Sequence, residues 1–222
     1  MVRNRVNKSR QETREDPLAW LSRLANRLHT LRLAWTYPFA SIGEGTWVHR
    51  SCELHRSIAA YVSIGNSVFL ERDVWINIAE IPDSNEAVVI LEDGCKFQRG
   101  CVISAKNRIH VERNTIFGPF GFITDHNHAF QDVTVPIAHQ GTMQGGTIRI
   151  EEGCWIGFGA AIVCTQGNLV IGRNSVVGAN SVVSRSVPPY SVVTGNPART
   201  AKHYDPLQQK WMLGAGTPMH DS

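Results

Sequence analysis

The side chains in this 222-residue chain best suited to proton transfer, nucleophilic attack or metal binding are nine histidines and five cysteines. Two of the histidines stand in the run Thr124-Asp125-His126-Asn127-His128. An imidazole titrates near neutrality and can take a proton from a hydroxyl, so His126 is a candidate general base, with His128 as the alternative. The cysteines point elsewhere. Cys52, Cys95, Cys101 and Cys154 each come four residues after a large apolar residue, namely Val48, Leu91, Phe97 and Ile150. That regularity marks them as core fillers rather than nucleophiles or ligands. Cys164 is off that phase and also reads as structural. An odd cysteine count fits a reducing compartment.

The phase belongs to a repeat that must position the histidines. Ile150, Ile156 and Ile162 recur every sixth residue, and after three extra residues the beat resumes at Ile171, Val177 and Val183. A small side chain follows most of them by four, as at Cys154, Ala160, Ser175 and Ser181. Period six is neither a helix nor a half-buried strand; it is the signature of a hexapeptide β-helix. Each unit supplies one short strand and one corner, three units make a triangular coil, and glycine or asparagine serves the corners. A coil cannot bury its apolar face alone, so coils must stack. Upstream, the same beat gives Ile42, Val48, Leu54; Ile64, Leu70, Ile76; Leu91, Phe97, Ile103; and Val111, Phe117, Ile123, for six coils in all. Turn formers at Pro82 to Asn85 mark a short bulge. A longer interruption, residues 124–146, contains His126 and His128 and reads as a functional loop extruded from the prism.

Residues 1–16 are a basic arm without an apolar core, unlike a secretory signal, and are expected to be disordered. Asp16 and Pro17 suit an N-cap and first helical position, and residues 17–38 read as an amphipathic helix through Leu18, Leu21, Leu24, Leu28, Leu31 and Trp35. The helix is expected to dock on the end or flank of the prism; the alternative is a membrane-surface helix. Residues 39–199 form the β-helix domain, closed by Pro188-Pro189 and Asn196-Pro197, and residues 200–222 read as a loosely attached tail. The net charge of +3 comes with no basic face interleaved with aromatics, which excludes a nucleic-acid partner. No apolar run is long enough to span a bilayer, and a cytoplasmic protein is expected.

The hexapeptides, the His-bearing loop and the closing run Val193-Thr194-Gly195-Asn196-Pro197-Ala198-Arg199 together resemble the hexapeptide-repeat acyltransferases. The similarity is greatest to the bacterial sugar O-acetyltransferases of the galactoside, maltose and capsule or exopolysaccharide branch. It is strong over residues 109–202 and general over 42–107. The resemblance implies a left-handed parallel β-helix, a homotrimer with active sites between neighbouring prisms, and direct acetyl transfer from acetyl-CoA to a sugar hydroxyl. It places the catalytic base at His126 and needs no metal. Trp155, which its place four residues after Glu151 puts at a corner, takes the position beside the thiol end of CoA, while Phe158 and Ala179 take positions whose backbone groups bind the pantetheine arm. Ser184 and Arg185 match a Thr-Lys pair near the nucleotide, and Arg199 and Lys202 match residues near the phosphates. The physics agrees for the basic residues, since guanidinium and ammonium groups pair well with phosphate. At the acceptor site Gln98 stands where the family has Asn.

Two other classes stay open. A γ-type carbonic anhydrase shares the fold, and His110, His126 and His128 could supply three zinc ligands. A prism that binds CoA or sugar without turnover is the other.

Overall fold

The computed structural model describes residues 19–214. The basic arm, the Asp16-Pro17 cap and the last residues of the tail lie outside that range.

The six-residue beat becomes a left-handed parallel β-helix. Three parallel faces are built from short strands. The aliphatic of every unit sits in register with the aliphatic of the next coil. On face A the column runs Ile42, Ile64, Leu91, Val111, Ile150, Ile171. On face B it runs Val48, Leu70, Phe97, Phe117, Ile156, Val177, Val193. On face C it runs Leu54, Ile76, Ile103, Ile123, Ile162, Val183. Most of these side chains are completely buried, and the Phe97 and Phe117 rings stack at 4.7 Å between centroids. The spacing therefore defines six full coils, and Val187 with the strand Ser191–Thr194 begins a seventh.

The small positions face inward as expected. Cys95, Cys101 and Cys154 are buried and donate S–H to carbonyls of the neighbouring coil. Burial pushes their thiols up to about 12, about 12 and about 11 respectively. A thiol held protonated is a poor nucleophile, in keeping with a packing role. Corner turns need left-handed backbone, which Gly94 and Gly153 supply without strain at φ 72° and Asn114 and Asn174 supply at 59° and 53°.

The N-terminal helix α1 (Ala19–Thr36) caps the open end of the prism, but not through the face its leucines suggested. Asn26, Thr30 and Leu33 are the buried residues. The Thr30 hydroxyl accepts from Val48 N–H at 3.0 Å, and Asn26 Oδ1 accepts from Arg50 N–H at 3.2 Å. The first coil has no preceding coil to satisfy its backbone, so a polar helix face meets it. The leucine stripe points outward.

The expected loose tail is instead ordered as far as Leu213. Strands Arg199–Asp205 and Lys210–Leu213 continue face B in antiparallel sense beyond Ser191–Thr194. They cover the sheet edge that an ended solenoid would expose.

Candidate active site

His126 follows the last strand of the fourth coil, Phe122–Thr124, at the corner between faces C and A. Its position is fixed by Asp125, whose carboxylate is fully buried. The turn at Lys106, Asn107 and Arg108 aims three main-chain N–H groups at that carboxylate, at 2.7, 2.8 and 2.8 Å. Asp125 Oδ1 is also 3.1 Å from His126 Nδ1, and the Thr124 hydroxyl is 3.4 Å from the same nitrogen. A carboxylate only accepts, so this contact places the ring hydrogen on Nδ1 and leaves Nε2 with its lone pair. Nε2 has no protein partner among the described residues. His126 is only 11% exposed at its side chain, whereas His128 is exposed and its ring makes no hydrogen bond among the described residues. A positioned imidazole with one free lone pair can act as a base.

Beside it lies a cavity of about 400 Å³ lined by Trp75, Ser104, Phe122, Thr124, Asn127 and Val163 together with the two histidines. Trp75 and Phe122 stand in the outward row of face C, joined in register through Val102. They present rings to solvent, a surface that suits the apolar face of a sugar.

The interruption 124–146 is an arm with its own hydrogen bonds. His128 bridges Thr142 in antiparallel sense, and Gln140 Nε2 donates to Asp132 O and Val135 O at 2.8 and 2.7 Å. Lys106 Nζ ties the arm to the prism through Thr142 Oγ1 at 2.7 Å, Met143 O at 2.9 Å and Glu80 at 3.0 Å. Glu80 also accepts from the Thr142 hydroxyl, and this bond, then Lys106, holds its carboxyl below the usual range. The arm leaves Phe130, Val133 and Ile137 exposed.

The other predicted residues fall into two groups, neither of which lines the His126 cavity. Ser184, Arg185 and Arg199 converge on a cleft of about 220 Å³ at the C-terminal end of the prism. Lys202 lies on the same strand as Arg199, opposite Val192. Trp155 is not at a corner but on the face-B strand Trp155–Ile156, facing outward. Phe158 and Ala179 occupy the corner between faces B and C on adjacent coils. Their N–H groups donate to no acceptor among the described residues, although Phe158 O accepts from Asn180. At the corner between faces A and B the matching N–H groups of Glu44, Asn66 and Arg173 are satisfied by side chains of a neighbouring coil. The B–C corner is thus open to a hydrogen-bonding ligand. Gln98 sits at this corner too, half-buried between Phe117 O and Cys101 N–H.

Sequence reasoning missed Asp125 as the group that orients His126, and Trp75, Ser104 and Phe122 as cavity walls. It also missed Phe120, a bulky residue at φ 59° whose ring meets Phe158 edge-on at 5.7 Å. The signal for the walls was present, since Trp75 and Phe122 each precede a repeat aliphatic and must face outward. His110, weighed as a third zinc ligand, is on face A with Nε2 2.8 Å from Glu92. The described residues hold no group of three His, Cys, Asp or Glu arranged for a metal.

No family model matches the chain. Rv3034c of Mycobacterium tuberculosis, provisionally named an acetyltransferase, is 27% identical over 176 residues, 78% of this chain and 52% of its own length. WbbJ of Escherichia coli, provisionally named a lipopolysaccharide biosynthesis O-acetyl transferase, is 28% identical over 170 residues, 73% of this chain and 85% of its own. The chain therefore spans about half the length of the mycobacterial relative and most of the other. Among solved structures, AntD, an N-acyltransferase from Bacillus cereus in complex with dTDP and 3-hydroxybutyryl-CoA, has the same fold with a TM-score of 0.61 at 17% identity. That superposition covers 78% of this chain and 86% of AntD. The resemblance read from the hexapeptides holds in sequence and in fold: the chain is similar to the hexapeptide-repeat acyltransferases.

Proposed function

We propose that this protein transfers an acetyl group from acetyl-CoA to a hydroxyl of a sugar or polysaccharide precursor. The observation that carries the reading is His126 beside a cavity walled by Trp75 and Phe122, held by Asp125 with Nε2 free. In the proposed step Nε2 takes the proton of the acceptor hydroxyl as its oxygen attacks the thioester carbonyl. The C–S bond of the resulting tetrahedral species then breaks, and the departing thiolate recovers the proton from the imidazolium. Asp125 keeps the ring in the tautomer that can accept, and its charge favours the imidazolium that forms.

The open N–H groups of Phe158 and Ala179 suit the amides of a pantetheine arm, and the cleft of Ser184, Arg185 and Arg199 suits phosphate. These features lie away from the His126 cavity within one chain. A homotrimer in which the arm and His126 of one prism face the B–C corner of the next would unite them. The exposed Phe130, Val133 and Ile137 on the arm support such a contact.

The reading is tested by titrating the protein with CoA and incubating it with acetyl-CoA and a panel of nucleotide sugars. CoA saturation at one site per chain, with a product acetyl group removed by alkaline hydroxylamine, is expected. An acetyl group that resists hydroxylamine would mean an amide, and hence an amino-sugar acceptor. Absence of CoA binding would overturn the reading. Light scattering that shows a fully active monomer would overturn the shared site.

A further inference from the structure

The outward face of α1 has no partner in the fold. Trp20, Leu21, Leu24, Leu28, Leu31 and Trp35 are all exposed, Trp35 at 94%. At 3.6 residues per turn these six positions fall within an arc of roughly 100°, about opposite the Asn26, Thr30 and Leu33 face that caps the prism. The stripe is therefore not a failed core. The helix is already docked by its other side, and its polar contacts to Val48 and Arg50 hold the stripe away from the protein.

The surroundings of the stripe identify its occupant. Arg27 flanks it on one side and Arg32 on the other, both exposed. The helix contains no Asp or Glu. In the sequence before it, Arg3, Arg5, Lys8, Arg10 and Arg14 outnumber Glu12, Glu15 and Asp16. A tryptophan stands near each end of the stripe. Two copies of this helix face to face would set arginine against arginine with no acid on either helix to relieve it. An anionic lipid surface meets every element at once: acyl chains for the leucines, the interfacial region for the tryptophans, and headgroup phosphates for the arginines. No helix among the described residues is long and apolar enough to cross a membrane, so the contact would lie in the surface plane.

We propose that α1 is a membrane-surface helix that seats the prism, by its N-terminal end, on an anionic phospholipid bilayer. The inference is independent of the acyl-transfer reading. The leucine stripe enters the headgroup boundary while Asn26 and Thr30 keep the helix attached to the first coil. The prism axis then carries the arm and the C-terminal cleft away from the lipid.

The test is co-sedimentation of the full chain with vesicles of phosphatidylcholine alone and of phosphatidylcholine mixed with phosphatidylglycerol, at low and high salt. The wild type is expected to bind the anionic vesicles roughly tenfold or more above the neutral ones, and less at high salt. Leu24→Glu with Leu28→Glu should lower that partition by roughly tenfold or more, since it removes two apolar insertions. Arg27→Glu with Arg32→Glu should lower it on anionic vesicles alone. All these positions are exposed, so thermal melting of both variants should match the wild type. Failure of the wild type to bind anionic vesicles would overturn the proposal. So would a smaller oligomer, seen by light scattering, in the leucine variant, because the stripe would then be a protein interface.

Discussion

Changing Asp125 to Asn preserves the size of the side chain and removes half of what it does. The carboxylate accepts from three backbone N–H groups and lies against His126 Nδ1–H. An amide has one accepting oxygen. If that oxygen stays with Asn107 and Arg108, the NH₂ group faces the Lys106 N–H and the ring, so two donors lose their acceptor. Charge-assisted bonds contribute about 1.5–3 kcal/mol each, and relaxation of the turn returns part of that, giving a loss of about 3–5 kcal/mol. For a chain of this size such a loss lowers Tm by roughly 6–20 °C. The catalytic effect is separate. His126 can pair with the new NH₂ only by accepting at Nδ1, which moves its hydrogen to Nε2 and removes the lone pair that should take the acceptor's proton. The same replacement in a serine-protease triad traps the wrong tautomer and lowers kcat by about 10⁴. Here kcat should fall by about 10²–10⁴. Nitrogen-15 spectra of labelled histidine report the tautomer, thermal melting the stability, and CoA release the turnover. A variant that keeps Nδ1–H and a kcat within about threefold of wild type would show that Asp125 only builds the turn and that His126 is positioned by something else.

Other outcomes follow from the same structure. Arg199→Ala and Lys202→Ala should raise KM for acetyl-CoA with little change in kcat, because phosphates far from the reacting carbon are held equally in ground and transition states. The variant that contacts the 3′-phosphate should also lose its preference for CoA over dephospho-CoA, and if neither does, neither residue reads that group. Replacing Lys106 with Met should free the arm, so exchange of the Ala129 and Met143 amides, which donate to Gly141 O and Asn127 O, should accelerate; unchanged protection would mean that the arm holds itself. For Cys95, Cys101 and Cys154 the folded thiols are raised above their unfolded value of 9.0. Above about pH 9 the unfolded chain therefore binds fewer protons, and stability should fall by up to about 1.4 kcal/mol per thiol per pH unit. Urea denaturation at two alkaline pH values checks this, and a triple Ala variant with the same slope would contradict it.

The prism was legible almost residue by residue. A solenoid makes each unit meet its own counterpart in the next coil, so a phase read at Ile150 fixes the pairing of Ile150 with Val111 and Ile171. Local rules fail where contacts are not periodic. The spacing of Leu21, Leu24, Leu28 and Leu31 reveals an apolar stripe but not whether protein covers it, and the open backbone of the first coil selected the polar side of α1 instead. The ordered tail was hidden for a similar reason, since the strand from Arg199 to Asp205 exists because the edge at Ser191–Thr194 offers it a partner. Of the site, His126 stood out through the loop that follows it. Asp125 did not, because neighbours in sequence rarely share a hydrogen bond, and only the turn at Lys106 brings this carboxylate and imidazole together. The separation of Trp155, Phe158 and Arg199 from His126 within one chain is a matter of which face each unit occupies.

The central claim is that His126 is the proton acceptor in acyl transfer, and single replacements of the two neighbouring histidines test it most directly. With acetyl-CoA and a competent acceptor, His126→Ala should lose about 10²–10⁴ in kcat while binding CoA as the wild type does, and His128→Ala should stay near wild-type turnover. Near-normal kcat in His126→Ala, with the loss appearing in His128→Ala, would contradict the account.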